Sequence, residues 1–184
     1  MYISFNLAKI EHKRGEFNPY VNHEGSVAAV AGEDYVVIIG DTRLSEGYNI
    51  VHRNSSKIFP LTNKTVIATS GMLADFAELK RVLVTKLEAY QYRIERKPST
   101  LSIANLVSKT LYARRFFPYY TFNLIAGLDD NGKGVVYGYD AIGSYGPDRA
   151  LAQGSGGHML LPYLDSVFVG YNNPKEDKKV NYTK

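Results

Sequence analysis

The sequence has 184 residues, 45% hydrophobic and 22% charged, which fits one globular domain with a sizeable core. It contains no cysteine, which excludes disulfides and thiolate metal sites, and its four histidines (His12, His23, His52 and His158) are scattered without metal-ligand spacing, so neither a metal nor a cofactor is expected. The net charge of +4 lies in small clusters (His12 to Arg14, Arg93 to Lys97, Lys175 to Lys184), and no apolar run approaches the roughly 20 residues of a membrane span, so neither nucleic acid nor a membrane is an expected partner.

Residues 1–24 read as an irregular leader, with loop formers at Asn18-Pro19 and Asn22. The first ten residues lack the basic start, sustained apolar stretch and small-residue cleavage site of a secretory signal, so an intracellular protein is expected. Ser26 to Ala31 and Tyr35 to Ile39 are apolar runs of strand length. The turn Gly32-Glu33-Asp34 joins them as a hairpin. Both runs are apolar on both faces, which predicts a sheet covered on both sides. Tyr48 to Arg53 and Lys57 to Leu61 suggest a second hairpin, and Thr65 to Thr69 a further buried strand.

After Ser70-Gly71 the pattern changes period. Leu73, Phe76, Leu79, Leu83, Leu87, Tyr90 and Ile94 recur every three or four residues, which is one face of a helix ending before Pro98. Ser99 or Thr100 caps a second helix with Ile103, Val107 and Leu111 on its buried face, running as far as Pro118. Tyr120 to Leu128 and Gly134 to Tyr139 are strands around the hairpin turn Asn131-Gly132. A short strand, Ala150 to Gln153, precedes Gly154-Ser155-Gly156-Gly157 and a helix from His158 to about Ser166. The tail from Asn172 is polar and reads as loop. Strands, two paired helices, strands and a helix indicate an α+β fold with mostly antiparallel pairing.

The chemistry lies at the start of the first strand. An N-terminal nucleophile hydrolase attacks a carbonyl with a side-chain hydroxyl and uses that residue's own free amine as base. A lysine stabilises the deprotonated state, an aspartate orients the lysine, and backbone N–H groups at a Gly-rich turn hold the oxyanion. Asp41, Lys57 and the turn Ser70-Gly71 can supply those supports. The position they would support is Gly25, which has no hydroxyl. Taken singly, each has an ordinary role: Asp41 as a turn residue, Lys57 at the surface, Gly71 in a strand-to-helix turn, Ser155 as a cap.

Taken together, Gly40-Asp41-Thr42-Arg43, Lys57 and Thr69-Ser70-Gly71-Met72-Leu73-Ala74-Asp75 resemble the beta subunits of the 20S proteasome core particle. Four longer runs match a non-catalytic branch of that family more closely. They are Ala31-Gly32-Glu33-Asp34, Asp41 to Gly47, Leu111-Tyr112-Ala113-Arg114-Arg115-Phe116-Phe117-Pro118-Tyr119-Tyr120, and Gly127 to Gly134. The resemblance spans about Phe17 to Tyr171 and implies a four-layer αββα sandwich of N-terminal nucleophile hydrolase topology. Active members carry threonine at the position of Gly25, so Asp41, Lys57, Gly71 and Ser155 are expected as inherited positions with no nucleophile to serve.

The resemblance further implies a leader or propeptide-like segment over 1–24, either retained or processed, with the mature family sequence starting at Phe17. It implies a beta-type domain over 25–184 that lacks the closing elements usual in the family. As partners it implies the other alpha and beta subunits of a stacked-ring complex. The role implied is structural support of ATP- and ubiquitin-dependent protein degradation in cytoplasm and nucleus. The alternative is cleavage after Gly25 to expose Ser26 as nucleophile. Adjacent strand residues point to opposite faces, which turns that hydroxyl away from Lys57. A free-standing binding module is a third class, but an isolated copy is expected to expose large apolar surface.

Overall fold

A computed structural model of the chain describes residues 18–23 and 25–167. The first two apolar runs form strands β1 (Ser26–Ala31) and β2 (Val36–Gly40), paired antiparallel as a hairpin. On its other edge β1 pairs with β10 (Ala150–Gly154), from the far end of the described chain. These three make one sheet, in the order β10-β1-β2.

The predicted pairing of residues 48–53 with 57–61 is not what forms. Strand β4 (Asn49–His52) folds back on β3 (Leu44–Glu46) across Gly47, whose φ of 54° is one that glycine adopts without steric cost. Strand β5 (Ile58–Pro60) pairs forward with β6 (Thr65–Gly71), through a turn in which Leu61 and Thr62 both donate to the Thr65 carbonyl. On β6, β5 can pack Phe59 against the helix-side core and Ile58 against the core between the sheets.

A second sheet runs β5-β6-β7-β8-β9, antiparallel throughout, with β7 (Thr121–Leu128), β8 (Gly134–Tyr139) and β9 (Tyr145–Asp148). The β7–β8 hairpin turns at Asn131-Gly132 with Gly132 at φ 82°. Asp129 Oδ1 accepts from the N–H groups of both Asn131 and Lys133 at 2.8 Å, which holds the turn.

Helix α1 (Leu73–Ile94) buries Phe76, Leu79, Leu83 and Leu87 from the predicted stripe, while Ile94 at its end is exposed. Helix α2 (Thr100–Tyr112) is capped by Ser99, whose Oγ accepts from the Ser102 N–H at 3.2 Å. It ends at Tyr112, well before Pro118. Residues 114–117 tighten into turns, with Arg114 donating to Leu111, Arg115 to Tyr112 and Phe117 to Arg114. Helix α3 (Gly157–Val167) follows β10.

The layers are α1 and α2, the five-stranded sheet, the three-stranded sheet, then α3, so the α+β fold is the αββα sandwich. The alternation of β6 and β7 builds two cores. Ile67 and Ile125 face the helices with Leu79, Leu83, Ile103 and Val107, while Ala68 and Leu124 face β1 with Val27 and Ala29. The small residues of β1 let the sheets approach. Coverage on both sides holds for β1 but not for β2, where Val37 and Ile39 are 50% and 57% exposed.

Tyr139 fills the core beneath α2 and donates its hydroxyl to the Ala104 carbonyl at 2.8 Å. Burial pushes its phenol well above the ordinary value near 10. An acid raised in the folded state contributes stability that is present below the unfolded value and is lost as pH rises above it. Stability should therefore fall above about pH 10. Tyr139→Phe should lose about 0.5–1.5 kcal/mol at pH 7 and show a flatter alkaline limb. Urea midpoints measured from pH 7 to 11 check both.

Candidate functional site

Lys57 sits just before β5, and its ammonium is buried between the loop after β2 and the start of β1. It is 6% exposed. Its Nζ lies 3.3 Å from Asp41 Oδ1 and donates to the carbonyls of Asp41, at 2.9 Å, and Arg43, at 2.5 Å. Two of the ammonium's three donors are met by carbonyls, and the Asp41 carboxylate supplies the counter-charge. That arrangement compensates the loss of water, which an unpaired buried charge could not survive. Asp41 Oδ1 also accepts from the Ser26 N–H at 2.7 Å, so one carboxylate oxygen ties the lysine to the first residue of β1.

Gly25 lies directly over this pair, with φ 151°. A Cβ built on it would fall 2.3 Å from Lys57 Cε, 2.8 Å from Nζ and 3.1 Å from Asp41 Oδ1. The room a side chain would take at Gly25 is filled by the lysine. Across the strand, the Ser155 N–H donates to the Gly25 carbonyl at 3.0 Å, and Gly154 packs so closely there that a Cβ on it would meet that oxygen at 2.1 Å. The Ser26 hydroxyl points the other way and accepts from the Gly156 N–H at 2.7 Å, beside the start of α3.

The structure thus brings Gly25, Asp41, Lys57 and Ser155 into one contact network. Gly71 borders, with Gly25 and Ser155 of that network, a cavity of about 290 Å³ that Ser70, Gln153 and His158 also line. Its lack of a side chain has a steric cause of its own: a Cβ would lie 2.5 Å from the Tyr120 carbonyl. The Ser70 hydroxyl is buried in that wall with no hydrogen-bond partner among the described residues.

Sequence reading missed His23. It forms an isolated antiparallel bridge with Gly71, and its Nδ1 accepts from the Leu73 N–H at 3.1 Å. That satisfies an orphan donor at the start of α1, where Met72 offers no side-chain cap. Tyr20 is also fixed, stacked on Phe117 at 5.6 Å and donating to the Pro118 carbonyl at 2.8 Å. The described part of the leader, residues 18–23, therefore packs along the cavity and the end of α2. No local pattern announces either contact, because the partners lie 50 and 98 positions away. Phe17 and the tail from Asn172 lie outside the described residues. Among the described residues no cluster of His, Asp and Glu could hold a metal, and no helix is long and apolar enough to cross a membrane.

An αββα sandwich with an acid–lysine pair under the start of its first strand is matched by the family model for proteasome subunits over residues 21–181, and the chain belongs to that family. Within it the similarity is to beta type-1 subunits. The chain is 48% identical over 159 residues to proteasome subunit beta type-1 of Dictyostelium discoideum, covering 86% of this chain and 67% of that one. It is 42% identical over 174 residues to the beta type-1 subunit of Danio rerio, covering 95% and 72%. The Schizosaccharomyces pombe protein named probable proteasome subunit beta type-6 is 37% identical over 153 residues.

Removing the lysine head leaves two backbone carbonyls without their donor and the Asp41 carboxylate without its counter-charge. Lys57→Met should cost about 2–4 kcal/mol. Asp41→Asn keeps an acceptor for the Ser26 N–H and should cost about 1 kcal/mol. Chemical denaturation of the two variants side by side tests the order, which inverts if the aspartate is the main support.

Proposed function

We propose that this chain is a non-catalytic member of the proteasome core beta ring. It forms wall and interface of the degradation chamber while neighbouring subunits cut the peptides. The observation that carries this reading is that Gly25, the residue lying over the Lys57–Asp41 pair, has no side chain. Lys57 Nζ donates to the Asp41 and Arg43 carbonyls and ion-pairs with the Asp41 carboxylate. In a threonine hydrolase such a lysine stabilises the deprotonated hydroxyl of the residue above it, and here there is no hydroxyl to stabilise. Asp41, Lys57, Gly71 and Ser155 are on this reading inherited catalytic positions that now serve structure alone. The leader's contact at Gly71 supports the same view, since chain already lies along the cavity.

Membership of the complex carries the remaining roles: partners among the alpha and beta subunits of the stacked rings, a part in ATP- and ubiquitin-dependent protein breakdown, and residence in cytoplasm and nucleus. Exposed Val37 and Ile39 on β2 suit a chain that works inside an assembly.

The test is a purified complex treated with a threonine-reactive covalent inhibitor, followed by mass spectrometry of each subunit. This chain should carry no label, and a labelled Ser26 or any other adduct on it sinks the reading. Gly25→Thr should also stay unlabelled while residues 1–24 remain attached, because a threonine within the chain has no free α-amine to act as its base. Expressed alone, the chain should elute from size exclusion as associated species rather than as a monodisperse monomer.

A further inference from the structure

The turn that ends α2 is built in a way the reading above does not use. Arg114, Arg115, Phe116 and Phe117 are all exposed, and Phe116 is 91% exposed. A large apolar side chain held that far into water is unusual when the backbone beneath it is so firmly fixed. The turn is closed by three backbone hydrogen bonds, and Pro118 follows. Tyr119 is buried behind it, and the Tyr120 N–H donates to Asp75 Oδ2 at 2.8 Å. Tyr20 stacks on Phe117 from the side.

The charges on this turn are not tied up in contact ion pairs among the described residues, although the Glu78 carboxyl, held below the usual range by its hydrogen bond from Arg81, is also lowered by nearby Arg114. The Arg115 guanidinium lies 4.8 Å from the Phe116 ring centroid and 5.1 Å from that of Tyr112, and donates to the Tyr112 hydroxyl. Arg114 lies over the Tyr119 ring at 5.0 Å. Neither makes an ion pair with a carboxylate among the described residues; the nearest exposed pair in this region is Arg81 with Glu78. The result is a rigid aromatic knob with two stacked guanidiniums. Arginine and aromatic side chains of this kind carry most of the energy at interfaces, and a preformed knob loses little freedom on docking.

We propose that residues 112–117 form a docking knob that inserts Phe116 into an apolar pocket rimmed by carboxylates on an adjoining subunit of the ring complex, with Arg114 and Arg115 pairing to that rim. A protein partner fits better than nucleic acid. Arg115 already covers the rings of Phe116 and Tyr112 that a base would stack on, and the knob's basic surface is too small to track a phosphate backbone.

This inference rests on the ring-subunit reading, and the experiment separates the two. A photoreactive benzophenone amino acid replaces Phe116, and the complex is purified, irradiated and mapped by mass spectrometry. The expected result is a crosslink to one fixed subunit, in a peptide that contains Asp or Glu beside apolar residues. Arg115→Glu should lower incorporation into the complex at least tenfold, while Tyr92→Ser, which removes another 91% exposed aromatic, should not change it. If the wild-type chain is in the complex but position 116 crosslinks to nothing, or only to copurifying RNA, the knob proposal is overturned alone. Equal incorporation of Arg115→Glu overturns it too. A wild-type chain that never enters the complex overturns both readings.

Discussion

The ammonium of Lys57 is the point on which the centre of this molecule depends. A cation almost removed from water persists only where that loss is compensated, and two carbonyls and a carboxylate from one short loop compensate it. The loop after β2 is thereby bent around the lysine, and Asp41 is aimed back at Ser26. That places the start of β1, and β1 in turn sets the register of β10 through Ser26 opposite Gly154. The Ser155 N–H then closes the ring on the Gly25 carbonyl. This ion pair fixes where two strands begin and end.

Around that point the sandwich follows ordinary packing logic. Strands β6 and β7 are buried on both faces and so serve two cores at once. Of their buried polar groups, Ser70 Oγ and Asn123 Oδ1 stay without a partner among the described residues, while Thr65 finds one. Thr65 meets Thr100 at 2.9 Å, and Thr100 donates to the Leu128 carbonyl, which joins the start of α2 to the sheet. Gly134 brings the two sheets together at one end: a Cβ there would lie 2.3 Å from the Tyr35 carbonyl, so only glycine lets the β8 start approach the β1–β2 turn.

What could be read from the sequence was what depends on short range. The α1 stripe, the Ser99 cap and the Asn131-Gly132 turn each carry their cause within a few residues. Strand β9 carried no such mark, because Tyr145-Gly146-Pro147-Asp148 has turn composition and becomes a strand only by lying on the free edge of β8. The end of α2 was misplaced because nothing before Pro118 forbids helix; buried Tyr119 and the stacking of Tyr20 on Phe117 reward the turn instead. At the site, residue types and spacing pointed to Gly25, Asp41 and Lys57 as a group. They could not reveal that Lys57 reaches into the space over Gly25, nor that His23 comes to lie against Gly71, since both are matters of where side chains settle after the sheets have closed.

The lysine's reach toward Gly25 also bears on how such a chain can change over generations. Loss of a nucleophile is often pictured as a single reversible letter. Here the tip of the neighbouring lysine lies where a Cβ on Gly25 would fall, and the same lysine holds the loop from Asp41 to Arg43. A lineage that acquired a side chain at Gly25 would have to swing that tip aside while keeping the two carbonyls paired. A change of letter at Gly25 is therefore felt first at Lys57, and the two positions share one history.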